Sequence, residues 1–213
     1  NVPSVAVNKD ERWRVIEKGV VIDGRFVASD GIKLTGDHNR LNVVVAAAIA
    51  HSFGASFDNI RHVLESFEGL PHRAQIVGSI DDVTYVDDSK ATNLGSCIAA
   101  IEGVIKQPSS RRIVLIAGGT GKGADFAALG RAIPGHVRSV VLIGRDARLI
   151  AANIPSTPVA FASDLEDAVV KARMDALPGD VVLFSPACAS FDMFENFVVR
   201  GQAFTRIVEG MSK

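Results

Sequence analysis

Downstream of Pro71 this 213-residue sequence predicts an α/β domain with a mostly parallel sheet, and two observations carry that prediction. Apolar runs of strand length alternate there with stretches of helical pattern, the signature of strand–helix–strand units. Three polar loops, DDSKATN, GGTGKGADF and SPACAS, each directly follow an apolar run, which is where an open parallel sheet builds its ligand sites. Upstream the rhythm differs, with short strand-like runs and then two helices. A boundary therefore falls close to Gly69 and separates residues 1–69 from residues 70–213.

Between Arg12 and Leu34 the runs Trp13 to Ile16, Val20 to Ile22 and Phe26 to Ala28 are broken by Gly19, Asp23-Gly24 and Asp30-Gly31. These read as hairpin signals and predict a small antiparallel patch. Asp37 is placed to cap a helix from His38 to Ser52 that stops at Gly54, and Ser56 to cap a second from Phe57 to Phe67 that stops at Gly69. After Pro71 the predicted order is strand Ala74 to Ile80, strand Val83 to Val86, helix Leu94 to Ile105 and strand Ile113 to Ala117. It continues with helix Phe126 to Ala132, strand Ser139 to Ile143, a helix near Arg148, strand Pro158 to Phe161, helix Leu165 to Ala176, strand Val181 to Phe184 and a long last helix.

Composition narrows the partners. With 47% hydrophobic residues the chain can bury a substantial core, and its 23 basic and 24 acidic residues, net charge −1, form no stripe or tail of one sign. That pattern argues against nucleic acid and membrane as partners. No run reaches bilayer length and the opening NVPSVAVNKD lacks the regions of a signal peptide, so a cytoplasmic location is expected. The first residue is Asn and Val5 to Val7 reads like a strand interior, so the sequence is expected to begin inside a longer chain. Cys97 and Cys188 sit far apart in apolar context, which suits buried free thiols in a reducing compartment.

In the first polar loop, Asp87, Asp88, Ser89, Lys90, Thr92 and Asn93 crowd carboxylates, an ammonium, hydroxyls and an amide ahead of a helix. This suits a polar ligand, and it equally suits a turn in which Thr92 or Asn93 caps the helix. The second loop gathers backbone amides and Lys122 at a helix start, which favours an anion. It is not a Walker P-loop, since Ile116 and Gly123 occupy the positions that need Gly and Ser or Thr. Gly119, Gly121 and Ala124 match the relaxed GxGxxA dinucleotide fingerprint, which makes an NAD(P)-binding oxidoreductase domain the alternative. Gly144-Arg145 stands where such domains place an acidic residue. In the third loop Ser190 can cap the following helix, with Phe191, Phe194 and Phe197 as core at helical spacing, or the small residues can admit a ligand. Cys188 has no neighbouring histidine and an apolar context, which argues against a nucleophile.

Outside these loops, Asn39 and Asn42 lie one helical turn apart, and His72-Arg73 follows the rigid turn Gly69-Leu70-Pro71, presenting a guanidinium suited to phosphate. The five histidines show no zinc-type clustering, so no metal ligands are assigned.

Taken in order, GDHNRLN, GLPHR, DDSKATN, GGTGKGADF and SPACASFDMFENFVVRG resemble the Mur ligase family, and within it the branch that adds D-glutamate to UDP-N-acetylmuramoyl-L-alanine. The resemblance runs from Gly36 onward and is weakest over residues 138–178. It implies that residues 1–69 are the β/α tail of the family's central ATP-binding domain and residues 70–213 its Rossmann-like, D-glutamate-binding carboxyl-terminal domain. It further implies Asn39 and Asn42 beside adenine, Arg73 at the nucleotide phosphates with His72 next to it, and Asp88 and Lys90 meeting the nucleotide. His72, Arg73 and Lys90 would form the catalytic group. Thr92, Lys122, Ser190 and the backbone amide of Phe197 would hold the carboxylates of D-glutamate. The implied reaction moves the γ-phosphoryl of ATP, with Mg²⁺, onto the muramoyl-alanine carboxylate, and the amine of D-glutamate then displaces phosphate. The implied partners are small molecules only, and a monomer is expected for the full-length enzyme. A folylpolyglutamate-synthase-like ligase is a further alternative, against which SPACASFD and DDSKATN favour the D-glutamate branch.

Two departures accompany the resemblance. Thr120 stands where several relatives carry an acidic residue, and the uridine-binding domain, the P-loop and the modified lysine that bridges metal are not among these 213 residues. The metal ligands are therefore expected mostly elsewhere. These residues alone are expected to release no ADP on addition of D-glutamate, and a coupled assay that detected such release would overturn this.

Overall fold

The structure, a computed structural model, describes residues 7–32, 37–67, 69–105 and 112–211, without the side chains of residues 37 and 38. The chain divides into two compact units, Asn1–Gly69 and Leu70–Lys213. No helix among the described residues is long and apolar enough to cross a membrane.

In the first unit β1 (Trp13–Ile16), β2 (Gly19–Ile22) and β3 (Arg25–Ala28) form an antiparallel sheet. Asp23 and Gly24, both at positive φ (48° and 77°), make the tight β2–β3 turn. The other two hairpin signals resolve differently. Gly19 lies in a strand, because a Cβ there would stand 2.2 Å from the Val27 carbonyl oxygen and only glycine permits that approach. Ser29–Gly31 forms a single 3₁₀ turn, closed by the Ile32 amide on the Ser29 carbonyl at 3.1 Å.

Trp13, Val20, Ile22 and Val27 bury their side chains against α1 (Asp37–Ser52) and α2 (Phe57–Ser66). The Ser56 hydroxyl caps α2, accepting from the Asn59 amide at 3.3 Å. The cap assigned to Asp37 falls outside the described side chains, and of the run Val5 to Val7 only Val7, in a turn, is described.

The second unit holds six strands in the order β4-β5-β9-β6-β7-β8. They are β4 (Gln75–Ile80), β5 (Val83–Asp87), β6 (Ile113–Gly118), β7 (Val137–Ile143), β8 (Val159–Phe161) and β9 (Val181–Phe184). Only β4 is antiparallel, joined to β5 by Asp81 and Asp82 at φ 51° and 61°. Strand β6 is buried along its whole length, as a central parallel strand covered on both faces must be. Its residues Ile113, Leu115 and Ala117 pack with α3 (Leu94–Ile105), α4 (Ala127–Ala132) and α5 (Ala147–Ala152), while Val114 and Ile116 pack with α6 (Leu165–Asp175) and α7 (Phe197–Met211).

Asn93 caps α3, its side-chain oxygen accepting from the Ser96 amide at 3.0 Å. The last helix starts later than the third polar loop implied. Asn196, not Ser190, caps it, accepting from the amides of Val198 and Val199 at 2.9 and 3.0 Å. Residues 191–196 form turns, and Phe191 is 69% exposed rather than core.

At the amino ends of the central strands Asp180 gathers the sheet. It accepts from Arg138 at 2.6 and 3.2 Å and from the amides of Arg112 and Leu177 at 3.3 and 3.0 Å. Burial pushes its carboxyl up, but Arg138 and the amides outweigh that and hold it below the usual aspartate range. Asp180→Ala is expected to cost about 2–4 kcal/mol at pH 7, because it strands a guanidinium and two amides. A carboxylate with a lowered folded-state pKa stabilises above its ordinary range and loses that contribution as pH falls through the lowered value. The gap between wild type and variant in urea melts is therefore expected to narrow in acid.

Candidate functional site

The loops after β5, β9 and β6 leave neighbouring strands at their carboxyl ends, and backbone hydrogen bonds join them. The Asp88 amide donates to Phe184 O at 2.9 Å, the Gly118 amide to Pro186 O at 2.9 Å, and Thr120 and Ala189 exchange a bonded pair at 2.9 and 3.0 Å.

Asp87, the last residue of β5, is fully buried. One carboxylate oxygen accepts from the Ser89 amide at 2.9 Å and from the Ser89 hydroxyl, and the other lies 2.6 Å from His72 Nδ1. His72 sits at φ 64° and Ala74 at φ 47°, a left-handed turn that costs roughly 1 kcal/mol or more per non-glycine residue. The Lys90 amide holds the His72 carbonyl at 3.0 Å. A Cβ on Gly201 would come within 2.3 Å of His72 Nδ1 and 2.8 Å of the Asp87 carboxylate, so glycine on α7 makes room for the pair.

Asp88, 8% exposed, accepts from Ser185 Oγ at 2.7 Å and the Ala74 amide at 3.2 Å. Burial dominates these contacts and pushes its carboxyl up to about 6. Lys90 Nζ lies 4.3 Å from the centre of the Phe197 ring, and the His72 ring meets Phe197 edge-on at 6.3 Å. Beneath this cluster Arg200, 1% exposed, donates to the carbonyls of Ser89 and Cys188 at 2.9 and 3.0 Å. Burial lowers its pKa to about 10, and its Nε finds no partner among the described residues.

The glycine-rich loop is built for contact with protein. At Gly118 and Gly119, φ 124° and 126°, a Cβ would stand 1.9 Å from Ile143 O and 2.4 Å from Ala189 O. Of the two glycines that match a dinucleotide fingerprint, Gly119 thus admits neighbouring backbone, and Gly121 makes room for the Phe126 ring, which a Cβ there would meet at 2.6 Å. The amides of Gly118, Gly119, Thr120 and Ala124 donate to backbone carbonyls, and that of Gly121 donates to the Asp146 carboxylate at 2.7 Å. The expected cradle of open amides is therefore largely used up. What the loop presents outward is Lys122, exposed at φ 54°, with Nζ 5.7 Å from the Phe191 ring centre. Asp146 supplies a carboxylate to the loop that carries Thr120, and Asp192 ties the third loop to the one after β7 through the Arg145 amide at 2.8 Å.

Of the residues singled out in the sequence, His72, Lys90 and Phe197 form one linked cluster, Asp88 accepts from the neighbouring Ala74 amide and from Ser185, and Arg73 is exposed and Thr92 half-buried in the same segments. Lys122 lies on the loop bonded to Ala189, next to buried Ser190. Asn39, half-buried, and Asn42, exposed, lie on α1 in the other unit. Sequence reasoning assigned no role to Gly201, Arg200, Asp146 or Asp192, and took Asp87 only as one charge among several. The pairing of an arginine with a glycine in FVVRG was the signal within reach. Burial pushes the thiols of Cys97 and Cys188 up to about 12, which leaves them inert as nucleophiles.

The family described as "Mur ligase, glutamate ligase domain" matches residues 72–188, more than half of the chain. A UDP-N-acetylmuramoylalanine–D-glutamate ligase from Legionella pneumophila is 48% identical over 188 residues, covering 88% of this chain and 42% of the relative. The enzyme of the same name from Pseudomonas fluorescens is 47% identical over 182 residues, covering 85% and 40%. The chain thus spans about two-fifths of the length of these curated relatives. Among solved structures, folylpolyglutamate synthase from Mycobacterium tuberculosis aligns at TM-score 0.62 and 19% identity, over 89% of this chain and 43% of that one. The UDP-N-acetylmuramate-alanine ligase of Thermotoga maritima aligns at TM-score 0.62 and 18% identity, over 85% and 40%. At such identities these alignments show the α/β fold.

Asp88 generates a test of the site. A carboxyl whose folded-state pKa is raised favours the native state below its ordinary value and loses that contribution as pH rises through about 6. Asp88→Asn, which keeps the shape without the charge, is expected to be more stable than wild type by about 2–3 kcal/mol at pH 8, with the difference vanishing by pH 4. Urea melts at both pH values check this.

Proposed function

The chain belongs to the Mur ligase family, and on that premise we propose that it carries the amino-acid site and one wall of the nucleotide cleft of an ATP-dependent ligase joining D-glutamate to UDP-N-acetylmuramoyl-L-alanine. What supports the reading above all is the convergence of the loops after β5, β9 and β6, which carry Asp88, Lys90, Lys122, Ser190 and Phe197, with the segment before β4 that brings His72 to the Lys90 amide. In this reading residues 1–69 complete the ATP-binding domain, with Asn39 and Asn42 toward adenine, and residues 70–213 form the D-glutamate domain.

The chemistry is phosphoryl transfer from ATP to a carboxylate, followed by attack of the amino acid's amine on the acyl phosphate. Such a reaction depends on positioning and charge more than on a protein nucleophile. Arg73 and Lys90 offer cations to the phosphates, and the buried Asp88 carboxylate offers a site for a cationic group whose arrival relieves an unfavourable charge. Lys122 and Thr92, with Ser190 and the Phe197 amide, would take the two carboxylates of D-glutamate. Mg²⁺ would neutralise the phosphates, yet no group of three His, Cys, Asp or Glu among the described residues is placed to hold a metal ion. In this reading its ligands are the phosphates and, for the most part, residues of the enzyme outside this sequence. The full enzyme would act as a cytoplasmic monomer on soluble cell-wall precursors, and through them serve cell shape and division.

Calorimetric titration tests the amino-acid site. D-glutamate is expected to give heat where L-glutamate gives none, and Lys122→Ala to abolish it. Silence with both amino acids together with binding of NADH would overturn the reading in favour of a dinucleotide domain.

A further inference from the structure

Building on the ligase reading, the geometry points to His72 as the group that takes a proton from the incoming amine, and to Asp87 as the positioning residue that fixes its tautomer. The amino acid arrives as an ammonium with no lone pair and must lose a proton before it can attack. A histidine held with Nδ1 protonated and Nε2 bare is suited to that step.

The fold commits several features to holding this ring. Asp87 is fully buried, and the Ser89 amide and hydroxyl occupy one of its oxygens, so its other oxygen is left for His72 Nδ1 at 2.6 Å. An ionised carboxylate only accepts, so Nδ1 must carry the hydrogen. The chain bends through the left-handed region to present His72, the Lys90 amide clamps its carbonyl, and Gly201 clears the space beside Nδ1. The His72 side chain keeps 11% of its surface accessible while Nδ1 is engaged by a fully buried carboxylate. That ring meets Phe197, as does Lys90, so His72 stands where the proposed nucleotide and amino-acid residues converge.

The step balances. Nε2 accepts one proton from the ammonium, and the freed lone pair forms the C–N bond at the acyl phosphate carbon. The C–O bond to phosphate then breaks with its electron pair, and a second amine proton leaves with the phosphate. Asp87 offsets the imidazolium charge until water takes its proton.

Asp87→Asn tests the assignment, because the amide oxygen stays with the two Ser89 donors and turns the NH₂ toward His72. Nδ1 must then accept, and the hydrogen moves to Nε2. Two-bond ¹H–¹⁵N spectra of the 213-residue chain are expected to show Nδ1–H in wild type and Nε2–H in the variant. In the complete ligase containing this chain, Asp87→Asn is expected to lower kcat about 100-fold or more while KM for D-glutamate moves less than roughly threefold. His72→Gln should show the same loss and the double variant no further loss; it also carries the kinetic test if Asp87→Asn does not fold. Wild-type His72 protonated at Nε2, or normal turnover in either single variant, would overturn the assignment. Failure of the ligase reading would appear separately, as wild type without D-glutamate-dependent turnover, and the spectra would then decide Asp87's role by themselves.

Discussion

Strand β9 hydrogen-bonds in parallel to β5 on one side and β6 on the other, and the whole carboxyl edge of the second unit follows from that placement. Adjacent parallel strands release their following loops in one direction and about 5 Å apart. DDSKATN, SPACAS and GGTGKGADF therefore emerge as a contiguous surface although they are separated in sequence. The same closeness dictates composition. Gly118, Gly119 and Gly201 stand where a single methyl group would collide with a neighbouring backbone or side chain, and Ala187 and Ala189 are almost wholly buried in the middle loop.

A junction this crowded must also account for its polar groups. Arg200 supplies two loop carbonyls from underneath and lies 5.9 Å from the centre of the Phe184 ring, and among the described residues the carboxylates of Asp192 and Asp87 act on its buried charge without forming an ion pair. Burying a guanidinium without an ion-pair partner is unfavourable, and the lowered pKa expresses how far burial outweighs those distant carboxylates. Asp88 carries the opposite charge in a similar predicament on the neighbouring loop. Stability alone does not favour such groups, whereas the proposed site for charged ligands uses them. The Asp180–Arg138 pair at the amino ends of the strands shows the contrast, since there each charge meets its complement.

Patterns that depend on nearest neighbours along the chain were legible in the sequence. The alternation of strands and helices, the Ser56 and Asn93 caps and the Asp23-Gly24 turn are local, and the structure has them. What could not be read depends on which segment comes alongside. Gly19 resembles a turn residue until β3 is known to cross it, and Gly119 resembles a phosphate-binding glycine until Ala189 O is found there. Ser190 and Asn196 are both good capping residues, and only the turns of residues 191–196 decide between them. Asp87 and Asp88 are adjacent and chemically identical, yet strand alternation sends them to different partners, His72 and Ser185.

Two lysines of the proposed site, Lys90 half-buried and Lys122 exposed, lie against aromatic rings, which keeps their charge available. Lys90 lies against Phe197 and Lys122 against Phe191, at 4.3 and 5.7 Å from the ring centres. A carboxylate in either place would hold the ammonium more firmly, but it would neutralise it and occupy its donors. An aromatic face steers a cation by its quadrupole, for about 0.5–1 kcal/mol at an exposed position, and leaves all three N–H groups for an anion. This also explains the exposure of Phe191, which would be anomalous as core. A ring that orients Lys122 has to stand at the surface beside it, and the turns between Ser190 and Asn196 put it there.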